Sequence, residues 1–285
     1  MFAACVFNRK GYSAETEMKP KYRIVTRGGN AAMDRMASLI AREGMPPGAR
    51  IIYDERNRLF RVYVDSVPYI VKAFRCPNAV NSVAYVTVRS SKAARSYRNA
   101  LRLERMGIAT PRPEAYMEVR RGGRLRESYY ICRDVECPQI RHWERRTDSG
   151  PLLAAFADDM LGLHLKGVWH KDFSPGNILV KNKKGGGYQF YYIDLNRMRF
   201  GVHDPKRLLS MFGRMHEDEE ELRDLARHYA EALRRAEAEG RPIPAGIDPA
   251  TVEDRAVEAF HAFWDRHARK QRLKKHLAHK HKVSK

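Results

Sequence analysis

One stretch near the middle of the chain constrains its fold more than any other. Residues 170–177 read His-Lys-Asp-Phe-Ser-Pro-Gly-Asn, and an apolar run over 178–180, a glycine-rich turn and a second apolar run over 188–193 lead to Asp194. β-Prone runs on both sides of such a turn are typical of a β-hairpin. Helical apolar spacing over 151–165 precedes the stretch. The sequence therefore predicts a helix, a loop with an aspartate and an asparagine, a hairpin and a second aspartate.

This order of residues is the layout of a kinase catalytic loop and its metal-binding aspartate. The carboxylate of Asp172 is suited to orient an acceptor hydroxyl and take its proton. The amide of Asn177 and the carboxylate of Asp194 are the hard oxygen ligands that Mg²⁺ prefers. Lys72 stands inside an apolar strand predicted over 69–74, where it either grips the α- and β-phosphates of ATP or takes an edge position or a solvent-facing position.

Composition excludes several classes of protein. The chain has 285 residues, 43% of them hydrophobic, and no apolar run long enough to span a membrane or to form a signal peptide. Its four cysteines are scattered without a CxxC pair, which favours reduced thiols in a cytoplasmic protein. The net charge of +20 indicates a polyanionic partner: nucleic acid, an anionic membrane or a phosphorylated substrate.

The remaining pattern predicts an α+β protein. Up to about residue 135 we expect β-strands with a single helix, over 91–106, and beyond 205 we expect helices only, the last beginning near Thr251. One face of the 91–106 helix carries four arginines, which are either solvated or bind an anion: Arg95, Arg98, Arg102 and Arg105.

Residues from about 50 to 200 resemble the lipopolysaccharide core kinase family, the Kdo/heptose (WaaP-type) kinases. The resembling segments are IVKAFR (70–75), SKAARSYRNALRLERMGIATPRPEAY (91–116), SYYI (128–131), HKDFSPGNILV (170–180) and YYIDLNRMRF (191–200). The resemblance implies a protein-kinase-like bilobal fold. A small antiparallel-sheet N-lobe with one helix would occupy 18–135, a mainly helical C-lobe 136–265, and a basic tail 266–285.

The resemblance also assigns roles to residues. Asp172 matches the catalytic base, Asn177 and Asp194 the Mg²⁺ ligands, Lys72 the phosphate-gripping lysine, and His170 a structural brace of the loop. Two features depart from the common kinase pattern. No G-x-G-x-x-G lies between the first two strands, and the first acid after Lys72 is Glu104, our candidate partner for that lysine, late in the 91–106 helix.

The implied activity is ATP- and Mg²⁺-dependent phosphorylation of an inner-core sugar of lipopolysaccharide, Kdo first and heptose second. The acceptor would be a lipid-linked glycan of the Kdo-lipid A type, met at the cytoplasmic side of the inner membrane. Arg197 and Arg199 are expected to contact its anionic groups. The basic tail is expected to hold the protein peripherally on the anionic membrane.

Three other readings stay open at this point. A pseudokinase or scaffold would explain the missing glycine loop, and a protein kinase would share the fold, although almost no activation segment follows Asp194. The charge alone also allows a nucleic-acid-binding protein, but the sequence has no recognised nucleic-acid motif.

Overall fold

The computed structural model describes residues 19–74, 90–142 and 150–283, without the side chains of 274, 275 and 277–283. The chain divides into two compact units. The first comprises Met1–Arg98 and Arg112–Asp134, and the second Asn99–Pro111 and Val135–Lys285.

The first unit is built on a six-stranded antiparallel sheet with the strand order β1-β5-β6-β4-β3-β2. The strands are β1 (Lys21–Thr26), β2 (Arg50–Asp54), β3 (Asn57–Val64), β4 (Val67–Phe74), β5 (Pro113–Arg121) and β6 (Arg124–Arg133). The strands predicted over 50–53, 59–64, 69–74 and 128–132 all lie within these bounds.

A helix that the sequence analysis did not predict packs against this sheet. The expectation of a single helix before residue 135 is wrong, because α1 (Ala31–Glu43) precedes α2 (Lys92–Arg105). The Asn30 side chain caps α1 by accepting a hydrogen bond from the Met33 N–H at 2.9 Å. The buried face of α1 joins one core with the sheet, which contains Ala37, Ile40, Val62, Val71, Met117 and Ile131.

Lys72 lies on an inner strand of this sheet. On β4 it stands opposite Leu59 of β3 and Tyr130 of β6, so the alternative of an edge position is wrong. Because successive side chains alternate between the two faces of a strand, Lys72 points away from the face on which Val71 joins the α1 core. Its ammonium lies over the Phe74 ring, 5.4 Å from the centroid.

The second unit is mainly helical. Its helices beyond residue 135 are α3 (Gly150–Leu165), α4 (Pro205–Leu209), α5 (Glu219–Ala238) and α6 (Val252–Val283), and its strands form the pairs β7 (Val168–His170) with β10 (Met198–Phe200) and β8 (Ile178–Asn182) with β9 (Tyr188–Tyr192). Helix α3 packs on α5, and α5 packs on α6. Fully buried rings fill the interior, among them Phe156, Phe173, Tyr192, Phe212 and Tyr229. The predicted α+β class is confirmed.

Helix α6 continues without a break into the basic segment at the end of the chain. It runs from Val252 to Val283 and therefore includes the stretch from 266 onward. The first four cations of that stretch, Arg266, Arg269, Lys270 and Arg272, are exposed. Within the ranges that the structure describes, no helix is long and apolar enough to cross a membrane.

Candidate functional site

The catalytic-loop segment is held between two short strand pairs. Strand β7 ends at His170, which lies opposite Met198 of β10. The loop then makes a 3-10 turn, Pro175–Asn177, and passes directly into β8. Strand β9 returns antiparallel to β8 and ends two residues before Asp194. The predicted order of helix, loop, hairpin and aspartate is confirmed.

His170 links the two ends of this segment. Its ring is 1% exposed, and Nδ1 accepts a hydrogen bond from the Asp172 N–H at 3.1 Å. Nε2 donates to the Ile193 carbonyl at 2.9 Å. Burial lowers the pKa of His170, so the neutral ring is favoured and each nitrogen has one defined role. The loop residue Asp172 and the residue before Asp194 are thereby tied to one side chain.

Asn177 is oriented by the backbone around it. Its Nδ2 donates to the Asp172 carbonyl at 2.7 Å, and its own carbonyl accepts from the Ile193 N–H at 3.0 Å. With the amide nitrogen engaged on the loop, Oδ1 is the side-chain atom left to act as a ligand. These contacts join Asp172, Asn177 and the residue preceding Asp194 in one hydrogen-bonded arrangement.

Asp194 sits at a left-handed turn with φ 57° and ψ 47°, a conformation that aspartate tolerates better than most residues. The Asn196 amide donates to Asp194 Oδ1 at 2.7 Å. One residue further, the Leu195 carbonyl accepts from Asn99 Nδ2 of α2 at 2.7 Å. The sequence analysis did not identify Asn99, because a hydrogen bond across 96 residues leaves no local pattern. It also assigned no role to Asn196, which lies two positions after Asp194.

The donor atoms at this loop fit Mg²⁺. Asn177 and Asp194 offer an amide and a carboxylate oxygen, and Mg²⁺ is commonly bound by few protein oxygens together with phosphates and water. Across the described part of the chain, no group of three or more histidine, cysteine, aspartate or glutamate side chains could hold a metal ion. A thiolate- and imidazole-rich site of the zinc type therefore has no candidate there.

Two guanidinium groups converge on the carboxylate of Asp172. Arg197 Nη1 lies 3.0 Å and Arg214 Nη1 2.9 Å from the same atom, Oδ1, and the Asp172 side chain is 16% exposed. Arg199, the other arginine expected near the acceptor, is exposed on β10 opposite Trp169. Arg214 was not identified from the sequence, since it lies 42 residues beyond Asp172 and belongs to no motif.

The remaining predicted site residues are distributed over both units. Lys72 belongs to the first unit, whereas Glu104 lies in the last turn of α2, half-buried, in the second. The pairing of these two residues stays a prediction. Between β2 and β3, where a glycine-rich loop is common in kinases, the chain turns through Glu55 and Arg56, and Arg58 Nη2 pairs with Asp54 at 2.8 Å.

The catalytic loop also leaves no space at its glycine. A methyl group built on Gly176 would lie 1.6 Å from Nη2 of Arg141, which comes from the 3-10 turn Ile140–His142. Arg141 thus packs directly on the backbone of the Ser-Pro-Gly-Asn loop. Only glycine fits position 176 while Arg141 keeps this conformation.

The comparisons with known proteins agree with this chemistry. The sequence profile of the lipopolysaccharide kinase (Kdo/WaaP) family matches residues 79–229, more than half of the chain. No curated protein sequence matches. Solved structures with similar folds include WaaP in complex with acyl carrier protein, with 19% identity over 84% of this chain and 99% of that one and a TM-score of 0.49.

Two further structures are similar at lower identity. The Rio2 kinase–ADP/Mg²⁺–phosphoaspartate complex from Chaetomium thermophilum is 15% identical, over 80% of this chain and 69% of that one, with a TM-score of 0.44. An aminoglycoside-3′-phosphotransferase of type VIII is 15% identical, over 81% of this chain and 100% of that one, with a TM-score of 0.45. Because all three scores lie below 0.5, the assignment rests on the sequence match over 79–229.

Proposed function

Since the chain belongs to the lipopolysaccharide kinase (Kdo/WaaP) family, and is therefore a phosphotransferase with a protein-kinase-like fold, we propose that it transfers the γ-phosphoryl group of ATP to a hydroxyl of an inner-core sugar. The observation that supports this most directly is the hydrogen-bonded loop in which His170 and Asn177 hold Asp172 beside the residue preceding Asp194. All of these residues lie within the matched segment.

In the proposed mechanism, Asp172 accepts a hydrogen bond from the acceptor hydroxyl and takes its proton as the new O–P bond forms and the bond between the γ-phosphorus and ADP breaks. Asn177 and Asp194 would hold Mg²⁺ against the phosphates. When bound, the metal neutralises charge on the phosphate oxygens. Lys72 would grip the α- and β-phosphates, with Glu104 as its candidate partner.

We propose Kdo as the acceptor sugar, with heptose as the second candidate. Kdo carries a carboxylate next to its hydroxyls, and guanidinium groups bind carboxylates well. Arg197 and Arg199 are both exposed and follow Asp194 directly in the chain. These cations just beyond Asp194 support an anionic acceptor over a neutral sugar.

The acceptor is lipid-linked, which gives the basic end of α6 a proposed role. Its exposed cations Arg266, Arg269, Lys270 and Arg272 would bind an anionic bilayer, each contributing about 1 kcal/mol near the surface. The protein would then act as a peripheral protein at the cytoplasmic face of the inner membrane. Flotation with anionic liposomes should recover the full chain, and equal recovery of a 1–265 variant would refute this role.

The decisive experiment measures transfer of ³²P from ATP, with Mg²⁺, to Kdo₂-lipid A and to its heptosylated form. Wild type is compared with Asp172→Ala, and we expect a loss of about 10²–10⁴-fold in the variant. Arg235→Met is a matched surface control, because Arg235 pairs with Asp158 in the same unit and touches none of the site residues. Label in neither lipid, although Mg²⁺·ATP binds, would overturn the proposed acceptor class.

A further inference from the structure

Asp172 is held asymmetrically by its two arginines. Both guanidinium contacts fall on Oδ1, at 3.0 Å from Arg197 and 2.9 Å from Arg214. Among the described residues, no group donates a hydrogen bond to Oδ2 of Asp172. A carboxylate fixed through one oxygen presents the other to an acceptor hydroxyl, so one arginine would already be sufficient to orient it.

Arg214 is the firmly anchored member of the pair. It ends the 3-10 turn Phe212–Arg214, in which the buried Phe212 ring packs edge-on against Tyr229 of α5 at 5.5 Å. A methyl group on Gly213 would lie 2.7 Å from the Ala259 carbonyl of α6, so the turn is in close contact with that helix.

The Arg214 guanidinium also has a second partner. It lies over the Phe263 ring of α6 at 5.3 Å from the centroid. A guanidinium that contacts both an aromatic face and a half-buried carboxylate is more restricted than one that contacts the carboxylate alone. The contacts of Arg214 therefore fix its position independently of any bound acceptor.

Arg197 makes fewer contacts than Arg214 among the described residues. Its side chain is 47% exposed, against 36% for Arg214, and within the described ranges Asp172 is its one hydrogen-bonding partner. Exposed ion pairs are weak in water and are readily exchanged for another anion of equal charge. Arg197 can thus move away from Asp172, and the carboxylate still has Arg214 as a partner.

From this difference we propose that Arg214 is the positioning residue that fixes Asp172, and that Arg197 exchanges from Asp172 to an anionic group of the acceptor. The inference rests on the proposed function and deepens it, since it makes an oxyanion beside the reacting hydroxyl a requirement for tight acceptor binding. Asp172 then keeps Oδ1 on Arg214 and takes the acceptor proton on Oδ2, while the acceptor oxygen bonds to the γ-phosphorus and ADP leaves.

The oxyanion has two sources in the proposed acceptor, the Kdo carboxylates and the lipid A phosphates. The test therefore uses three acceptors: Kdo₂-lipid A, its Kdo methyl ester, and its dephosphorylated form. Acceptor KM and kcat are measured for wild type, Arg197→Met, Arg214→Met and Arg214→Lys, with Arg235→Met as the control. Thermal denaturation and Mg²⁺·ATP binding report whether each variant is folded.

We expect the two arginines to affect different kinetic parameters. Arg197→Met should raise the KM for Kdo₂-lipid A about 10-fold with kcat within about 2-fold, and it should no longer distinguish the parent from the acceptor that lacks the recognised anion. Arg214→Met should lower kcat about 100-fold with KM within about 2-fold on all acceptors, and Arg214→Lys should recover part of that loss. If Arg214→Met does not fold, the lysine variant decides.

Four outcomes would overturn the inference. If wild type phosphorylates all three acceptors with the same KM, the proposed function stands and the proposed exchange of Arg197 is refuted. A lower kcat alone in Arg197→Met, or a higher KM alone in Arg214→Met, would each refute the division of roles between the two arginines. Absence of label in every acceptor would instead remove the proposed function and this inference together.

Discussion

At the scale of single residues, the catalytic loop is organised by side chains that use each polar atom for one partner. His170 accepts from one backbone amide and donates to one carbonyl, and the Asn177 amide nitrogen donates to a third backbone group. A buried polar group without a hydrogen-bond partner destabilises the folded protein. Removing one of these side chains should therefore lower the stability of the loop. The geometry of Asp172 therefore depends on the hydrogen bonds of His170 and Asn177.

Replacing His170 tests this dependence. His170→Phe keeps a ring in the site but leaves the Asp172 N–H and the Ile193 carbonyl without their partner, and we expect unfolding to become easier by about 1–3 kcal/mol. Phosphate transfer should fall as well. His276→Phe, at an exposed position on α6, is the control. Equal stability of the two variants in urea would show that the His170 contacts contribute nothing.

Buried His164 gives the protein a distinct pH dependence. Burial lowers the pKa of His164 to about 3, while an unfolded histidine titrates near its ordinary value of 6.5. Below about pH 6.5 the unfolded chain therefore binds a proton that the folded chain excludes, and the free energy of unfolding falls as the pH falls. Its Nδ1 lies 2.6 Å from the Tyr229 hydroxyl, inside the core.

The measurement compares wild type with His164→Gln at pH 7.5 and pH 5. Between pH 7.5 and pH 5, His164 should lower the free energy of unfolding of wild type by about 2 kcal/mol. The variant should lack this contribution. Urea unfolding at both pH values gives the four free energies. If the variant loses as much stability as wild type, His164 does not remain neutral in the folded protein.

At the scale of elements, local patterns were predicted well and distant pairings were not. The segment from β7 to Asp194 is contiguous, so its turn and apolar runs could be interpreted directly. Helix α1 was missed although Asn30 is a good N-cap and Met33, Ala37 and Ile40 have helical spacing. The pairing of β1 with β5 joins residues about a hundred positions apart, and no sequence signal reports such a register.

The site shows the same limit. The aspartates and the asparagine of the loop follow a short motif, whereas Arg214 and Asn99 reach the site through the packing of other elements. Arg214 lies near Asp172 because its 3-10 turn packs Gly213 against the backbone of α6. A contact that depends on the fit of two elements has no counterpart in a linear pattern.

The close packing of this turn on α6 can be tested by adding one methyl group. Gly213→Ala would place Cβ 2.7 Å from the Ala259 carbonyl, and we expect a loss of about 1–3 kcal/mol in stability together with lower phosphate transfer, because Arg214 moves with the turn. Gly185→Ala is the matched control, since nothing lies within 4 Å of its Cβ position. Wild-type stability in Gly213→Ala would mean that the turn and α6 separate freely.

At the scale of the whole molecule, charge is the dominant property. The net charge of +20 favours an anionic surface as the working environment of the protein, and the exposed end of α6 concentrates part of that charge on one helix. At 0.1 M ionic strength, salt largely screens attraction between exposed charges that are more than about 10 Å apart. Binding to a membrane through this helix should therefore depend strongly on salt.

Ionic strength separates this attraction from catalysis. Raising NaCl from about 50 to about 500 mM should lower binding of the full chain to anionic vesicles about tenfold or more, and binding of a 1–265 variant much less. Vesicle sedimentation measures both. A salt dependence that is identical in the two proteins would place the membrane-binding charge elsewhere in the chain.

The contact between Gly176 and Arg141 couples these two positions. A side chain at position 176 would meet the guanidinium, and Arg141 is exposed and flexible, so it can turn into solvent to make room. The stability lost in Gly176→Ala should therefore be that of the Arg141 contact. In a variant that already lacks Arg141, the same substitution should cause a smaller loss, so the two changes should not be additive.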